Sequence, residues 1–164
     1  MLRAAAADHN PTIIIEARSF YQTKGMVDLS RSDEQVGGAR IARHGSTATI
    51  VTYGTALPIC LEAANRVVDE GHDVQIVDLR WLNPVDWSFV IDAVAKTKGK
   101  AIIAHEANLT GGFGAEIATR LWEHGAKQIV RLGAADTRIP AAPNLQKEVL
   151  PTVDDVIGAI GDTA

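Results

Sequence analysis

The chain has 164 residues, 46% of them apolar and 22% charged, the proportions of a globular domain, which exclude a disordered tail or a coiled coil. Lys and Arg number 16 against 20 Asp and Glu, and neither sign gathers into a block. That excludes the basic stripe a sequence-independent grip on nucleic acid requires. The apolar runs are too short to span a bilayer, so no membrane partner is expected. The opening MLRAAAADHNP lacks a secretory core, and the lone Cys60 rules out a disulfide framework or a multi-thiolate metal site. The expectation is a soluble, cytoplasmic chain holding one domain and an appendage.

The appendage comes first. Leu2 to Ala7 reads as the end of a helix, Asp8 to Pro11 as a turn, and Thr12 to Ala17 (TIIIEA) as a buried strand. Residues 18–38 are polar, glycine-containing and aperiodic, as a linker is. One helix end and one apolar strand cannot build a core. Residues 1–17 therefore either lend a strand to the main sheet or are the trailing edge of another domain.

The main domain occupies 39–164. Its first β-branched run is Thr47 to Tyr53, followed by a helix over Ala56 to Glu70. That helix gathers Ala56, Ile59, Cys60, Ala63, Ala64, Val67 and Val68 on one face and stops at Gly71. Val74 to Leu79 is the second run. Asn83 as cap, Pro84 at the first helical position and Asp86 in the first turn then predict a helix start. This helix turns Phe89, Val90, Ala93 and Val94 inward and closes with Lys96, Lys98 and Gly99. Lys100 to His105 is the third run, with a helix from the Gly111–Gly114 turn to His124. Gln128 to Leu132 is the fourth, and helices over Leu145 to Leu150 and Thr152 to Ile160 complete the chain. Strands apolar on both faces and separated by helices call for a mainly parallel sheet covered on both sides. The fold class is α/β, three-layer and doubly wound.

The most pointed local feature is the stretch from His105 through Glu106, Asn108 and Thr110 to Gly111-Gly112-Phe113-Gly114. It follows a strand and opens a helix, where α/β folds place ligands and where free N–H groups can hold an anion. The third glycine of a dinucleotide fingerprint is missing, however, and no acidic residue closes the following strand. The bland reading is that the glycines let the helix approach another backbone. The turn at Tyr53-Gly54 has no Lys to reach a phosphate, and Asp78 reads as a solvated turn carboxylate. The five histidines show no zinc-binding spacing. His105, beside Glu106, is the one to test as an acid or base, against a plain structural role. Cys60 falls on the apolar face of its helix and reads as core. Among Trp81, Trp87, Trp122 and Phe113, some should face a partner. Read from its residues alone, the chain carries no self-sufficient catalytic set.

Four segments nevertheless occur in one order and spacing: IARHGSTATIVTYGTALPICLEAA (41–64), VQIVDLRWLNPVD (74–86), HEANLTGGFGAEIATRLWE (105–123) and ADTRIPAAPNLQKEVLPTVDDVIGAI (135–160). The series resembles the C-terminal transketolase-like domain of the β subunit of thiamine-diphosphate-dependent 2-oxo acid dehydrogenases, the decarboxylating components of pyruvate, branched-chain 2-oxo acid and acetoin complexes. The opening 1–17 is similar to the last helix and strand of that family's pyrimidine-binding domain. 1-Deoxyxylulose-5-phosphate synthases and transketolases share the Tyr-Gly and Gly-Gly-Phe-Gly features but end differently.

In the family, thiamine diphosphate and magnesium are held by a Gly-Asp-Gly…Asn motif and by a Glu of the pyrimidine domain. There is no Gly-Asp-Gly in this sequence, and the activating Glu would precede Met1. The resemblance thus implies an assembly role, with no cofactor held by this chain and no catalytic residue carried over. Glu106, Thr110, Gly111, Gly112, Phe113 and Gly114 would lie at the contact with an α subunit and a second β subunit. Val153, Asp154, Ile157 and Ile160 would face a dihydrolipoyl acyltransferase core. The rival readings are a free-standing module that homodimerises, the C-terminal domain of another thiamine-diphosphate enzyme such as 1-deoxyxylulose-5-phosphate synthase, and an enzyme or binder with an anion site at Gly111–Gly114.

Overall fold

The computed structural model describes residues 1–26 and 35–163, so residues 27–34 of the expected linker lie outside the described residues. Five strands form one sheet: β1 (Arg40–Arg43), β2 (Thr49–Thr52), β3 (Gln75–Asp78), β4 (Lys100–Asn108) and β5 (Gln128–Ala134), in the order β1-β3-β2-β4-β5. The four strands from β2 to β5 run parallel, and β1 closes one edge antiparallel to β3. The helices are α1 (Leu2–Ala7), α2 (Ala56–Val67), α3 (Trp87–Lys96), α4 (Phe113–Glu123), α5 (Pro143–Gln146) and α6 (Val153–Thr163).

Strand alternation sorts the core. Ile50 stands opposite Ile76 and Ile102, and all three turn to the face covered by α2 and α6. One residue on, Val51 stands opposite Val77 and Ile103, and these meet α3 and α4 on the other face. Each of the six side chains is fully buried. A slip of one residue would exchange the two cores, so the register is strongly specified. Three layers result, as strands apolar on both faces require.

Polar side chains pin the layers. Gln75 donates to Thr49 Oγ1 and to the Ala93 carbonyl, both at 3.1 Å, and Thr49 and Thr97 hydroxyls meet at 2.7 Å. This buried, satisfied cluster ties β2 and β3 to the end of α3. Gly71 ends the 3-10 turn after α2 at φ +90°, the left-handed stop its sequence position predicts. The start of α6 is a reciprocal cap: the Asp155 carboxylate accepts from Thr152 N at 2.8 Å, while Thr152 Oγ1 accepts from Asp155 N at 3.3 Å.

Four expectations change. Helix α3 begins at Trp87, not at Pro84, because the Asp86 carboxylate caps it by accepting from Phe89 N at 3.1 Å. Strand β4 runs three residues past His105, to Asn108. Strand β1 is new, and charge pairs hold it: Arg40 on Asp78 at 3.0 Å and Arg43 on Asp73 at 3.0 Å. Residues 12–17 form no strand and are not buried. Ile13 is 90% exposed and Ile15 88%, since no strand among the described residues offers them a ladder.

Candidate functional site

The chain passes from β2 to β3 on one side and then crosses over β2 to reach β4, so the switch point of the sheet lies between the carboxyl ends of β2 and β4. Tyr53 leaves β2 there, His105 lies in β4 opposite, and α4 starts above them at Phe113. The Tyr53 ring stacks on His105 with centroids 5.8 Å apart and meets Phe113 edge-on at 6.3 Å. Phe113 packs against Trp87 at 6.4 Å, and the Arg120 guanidinium lies over the Trp87 ring at 5.5 Å. The crevice where an open α/β sheet would receive a ligand is lined by the domain's own rings.

His105 is fully buried, and neither ring nitrogen has a hydrogen bond of good geometry, the Ala107 backbone offering the ring only a weak polar contact. Burial pushes its imidazole below the ordinary histidine range; the Ala107 backbone opposes this and the Arg131 charge adds to it. Glycines let the backbone close around the ring. A Cβ on Gly114 would stand 2.0 Å from Nε2, one on Gly112 3.0 Å from Cε1, and one on Gly133 3.1 Å from the same atom. A Cβ on Gly112 would also come within 2.0 Å of the Asn108 carbonyl oxygen. These glycines are therefore required by close approach inside the domain. The pairing of β4 with β5 is irregular between Ala104 and Asn108, the local break that re-aims side chains at such rims.

The turn after β4 is closed by its own partners. Asp136 accepts from Thr110 N at 3.2 Å and also from the Thr110 hydroxyl. Those bonds hold the Asp136 carboxyl below its usual range. Asn108 donates to the Ala135 carbonyl at 3.0 Å, and Arg131 donates to the carbonyl of Leu109. An open depression borders this turn, lined by Ala107, Asn108, Thr110 to Gly112 and Asp136 to Arg138. A carboxylate from the chain thus takes the Thr110 donors, next to the Gly111–Gly114 turn on which the anion-site reading rests.

The predicted contact residues separate into two groups. Thr110 and Gly111 are exposed, and Glu106 and Phe113 are half-buried, all on one rim. Gly112 and Gly114 press on β4 from above and are committed to that packing. On α6, Asp154 is exposed, Val153 and Ile157 are partly covered, and Ile160 is 2% exposed and lies in the core against α2. Cys60 is core as expected, its thiol pushed up to about 12 by burial. Asp78 is not solvated: it is buried under Arg40, burial raising its carboxyl and the Arg40 charge offsetting part of that. Trp81 is buried, whereas Trp122 is 67% exposed. Among the described residues, no three His, Cys, Asp or Glu side chains come together to hold a metal ion. No helix among the described residues is long and apolar enough to cross a membrane.

Sequence reasoning did not find Asp136, Tyr53 or Gly133 as members of this site. Gly133 had a legible signal, because a glycine inside a strand marks a bulge or a close backbone approach.

The family model for the transketolase C-terminal domain matches residues 37–156. The chain belongs to that family. This transketolase C-terminal domain is 34% identical over 165 residues to the pyruvate dehydrogenase E1 component subunit beta of Rhizobium meliloti, covering 98% of the chain and 36% of that protein. It is 32% identical over 166 residues to the 3-methyl-2-oxobutanoate dehydrogenase subunit beta of Mycobacterium tuberculosis, covering 98% of the chain and 47% of that protein. The chain is thus similar, over nearly its whole length, to 2-oxo acid dehydrogenase β subunits, the resemblance its motifs carry. It spans between about a third and a half of the length of these relatives. Among solved structures, the split gene transketolase described as an inactive beta4 tetramer superposes with a TM-score of 0.72 at 27% identity, over 79% of this chain and 43% of that one.

Proposed function

We propose that this chain is the C-terminal assembly domain of a 2-oxo acid dehydrogenase β subunit, and that it does not decarboxylate a 2-oxo acid by itself. The parent reaction is decarboxylation on thiamine diphosphate with acyl transfer to a lipoyl arm. The domain meets an α subunit and a second β subunit through the rim of Glu106, Thr110, Gly111 and Phe113. It meets the acyltransferase core through Asp154 and the outer edges of Val153 and Ile157, with Ile160 supporting them from the core.

The observation that carries this reading is the state of the switch point. Tyr53, His105, Phe113 and Trp87 line it with their own rings, and Asp136 occupies the Thr110 donors of the adjoining turn. What that rim offers outward is a half-buried aromatic edge beside Arg120, the composition of a protein contact. The similarity to dehydrogenase β subunits over 98% of the chain supports the choice of parent enzyme.

One finding favours a second reading, a separately encoded domain that pairs with copies of itself. The split gene transketolase that superposes with a TM-score of 0.72 is described as an inactive beta4 tetramer. Light scattering on the wild type and on Phe113→Asp tests both readings through the shared rim. An oligomer that dissociates on substitution supports contact there. A wild-type monomer removes self-pairing, and an oligomer indifferent to the substitution moves the contact elsewhere.

A further inference from the structure

His105 is the one fully buried imidazole of the domain, and the assembly reading leaves it without a task. A buried polar group without a hydrogen bond is costly, and a charged one more so. Both ring nitrogens of His105 are in that position, yet the surroundings are shaped closely around it. Gly112, Gly114 and Gly133 each bring backbone to the ring, and Tyr53 stacks on its face. A wetter or larger pocket would relieve the ring. The fold instead surrounds it with groups that on balance favour the neutral form.

The surroundings of the ring favour the neutral form on balance, with one opposing contact. From the end of β2 comes Tyr53, whose hydroxyl burial keeps protonated and uncharged. From β4 comes the Ala107 backbone, the single influence favouring a cation. From β5 comes Arg131, a like charge. From the start of α4 come Gly112 and Gly114, whose backbone lies against the ring at the positive end of the helix dipole. No carboxylate figures among the influences on the ring. Arg131 also clasps the Leu109 carbonyl, so the residue that would repel a charged His105 is the one that holds the turn shut.

We propose that His105 is a protonation-sensitive latch. Neutral, it lets α4 seat on β4 and presents the Phe113 rim. Protonated, it drives Arg131 and the start of α4 away and opens the turn over residues 106–114. This rests on the assembly reading only in giving the opened rim a consequence, loss of subunit contact on acidification. The latch itself is a property of the chain alone.

The sign follows from linkage. In the unfolded chain the imidazole titrates near its ordinary value of about 6.5, and in the fold it titrates lower. The unfolded or opened form therefore binds the proton more readily. The contribution of neutral His105 is complete above about pH 6.5 and is lost as pH falls from there toward the folded value, by up to about tenfold in the opening equilibrium per pH unit.

The experiment is amide hydrogen exchange on the whole chain from about pH 8 down to about pH 5, corrected for intrinsic rates, with the turn compared to Ile50 in β2. The wild type should lose protection over 106–116 as pH falls while Ile50 keeps it, and His105→Phe should hold the turn protected throughout. An identical pH profile in His105→Phe, or a wild-type turn whose protection does not change, overturns the latch. Should His105→Phe fail to fold, imidazole NMR on the wild type decides. A ring that titrates at its ordinary value with the Phe113 and Trp87 signals unmoved overturns the proposal, and one that resists protonation until those signals shift supports it. The Phe113→Asp masses are read at neutral pH, so failure of the latch and failure of the assembly reading are separate results.

Discussion

Two stretches of this chain are built from nearly the same residues and meet opposite fates. Ala101, Ile102 and Ile103 are fully buried in β4, between β2 and β5 and beneath helices on both faces, whereas Ile13 and Ile15 are 90% and 88% exposed and belong to no strand. Intrinsic preference for extended backbone is equal in the two, so preference does not decide the outcome. Neighbours do. A β-branched run becomes a strand when ladders on its edges and packing on its faces repay the ordering of its backbone. Residues 12–17 have neither within the described residues.

That contrast can be broken by substitution. The largest effect should come from Ile102→Ala, which opens a cavity between β4 and the α2–α6 layer and should cost roughly 4 kcal/mol in chemical denaturation. If the loss is small, the core does not rest on β4 as described. Next is Gly114→Ala, whose new methyl would stand 2.0 Å from His105 Nε2. It should cost roughly 2 to 3 kcal/mol by overpacking. Combining it with His105→Ala should recover part of that loss, a coupling that a double-mutant cycle measures directly. Additive losses would show that the ring and the glycine do not press on each other. The smallest effect should come from Ile13→Ser with Ile15→Ser, less than about 0.5 kcal/mol in the isolated chain because both side chains are already in water. A large loss would mean these residues are covered in solution.

The layered core was legible because its signal is periodic. Ile50, Ile76 and Ile102 recur in strands bounded by helices whose apolar faces can be counted, and Gly71 marks a stop that only a left-handed residue fills easily. Strand β1 was not legible, since Arg40-Ile41-Ala42-Arg43 is held at a sheet edge by ion pairs to Asp78 and Asp73, residues 38 and 30 positions away. The start of α3 was misplaced for a related reason: Asn83-Pro84 and Asp86 both carry start signals, and the carboxylate that reaches Phe89 N wins. At the site, the glycines were visible; their bland reading, approach to another backbone, is the one the geometry supports for Gly112 against the Asn108 carbonyl, whereas Gly114 makes room for the side chains of His105 and Ile103. The object they approach, a buried histidine stacked on a tyrosine from another strand, depends on which strands become neighbours. No local pattern around His105 encodes that.

The claim on which the account turns is that this domain assembles subunits and does not itself take up the coenzyme. Calorimetric titration of the purified chain with thiamine diphosphate and magnesium tests it most directly. The account predicts no binding heat beyond dilution. Saturable binding in the micromolar range would contradict it.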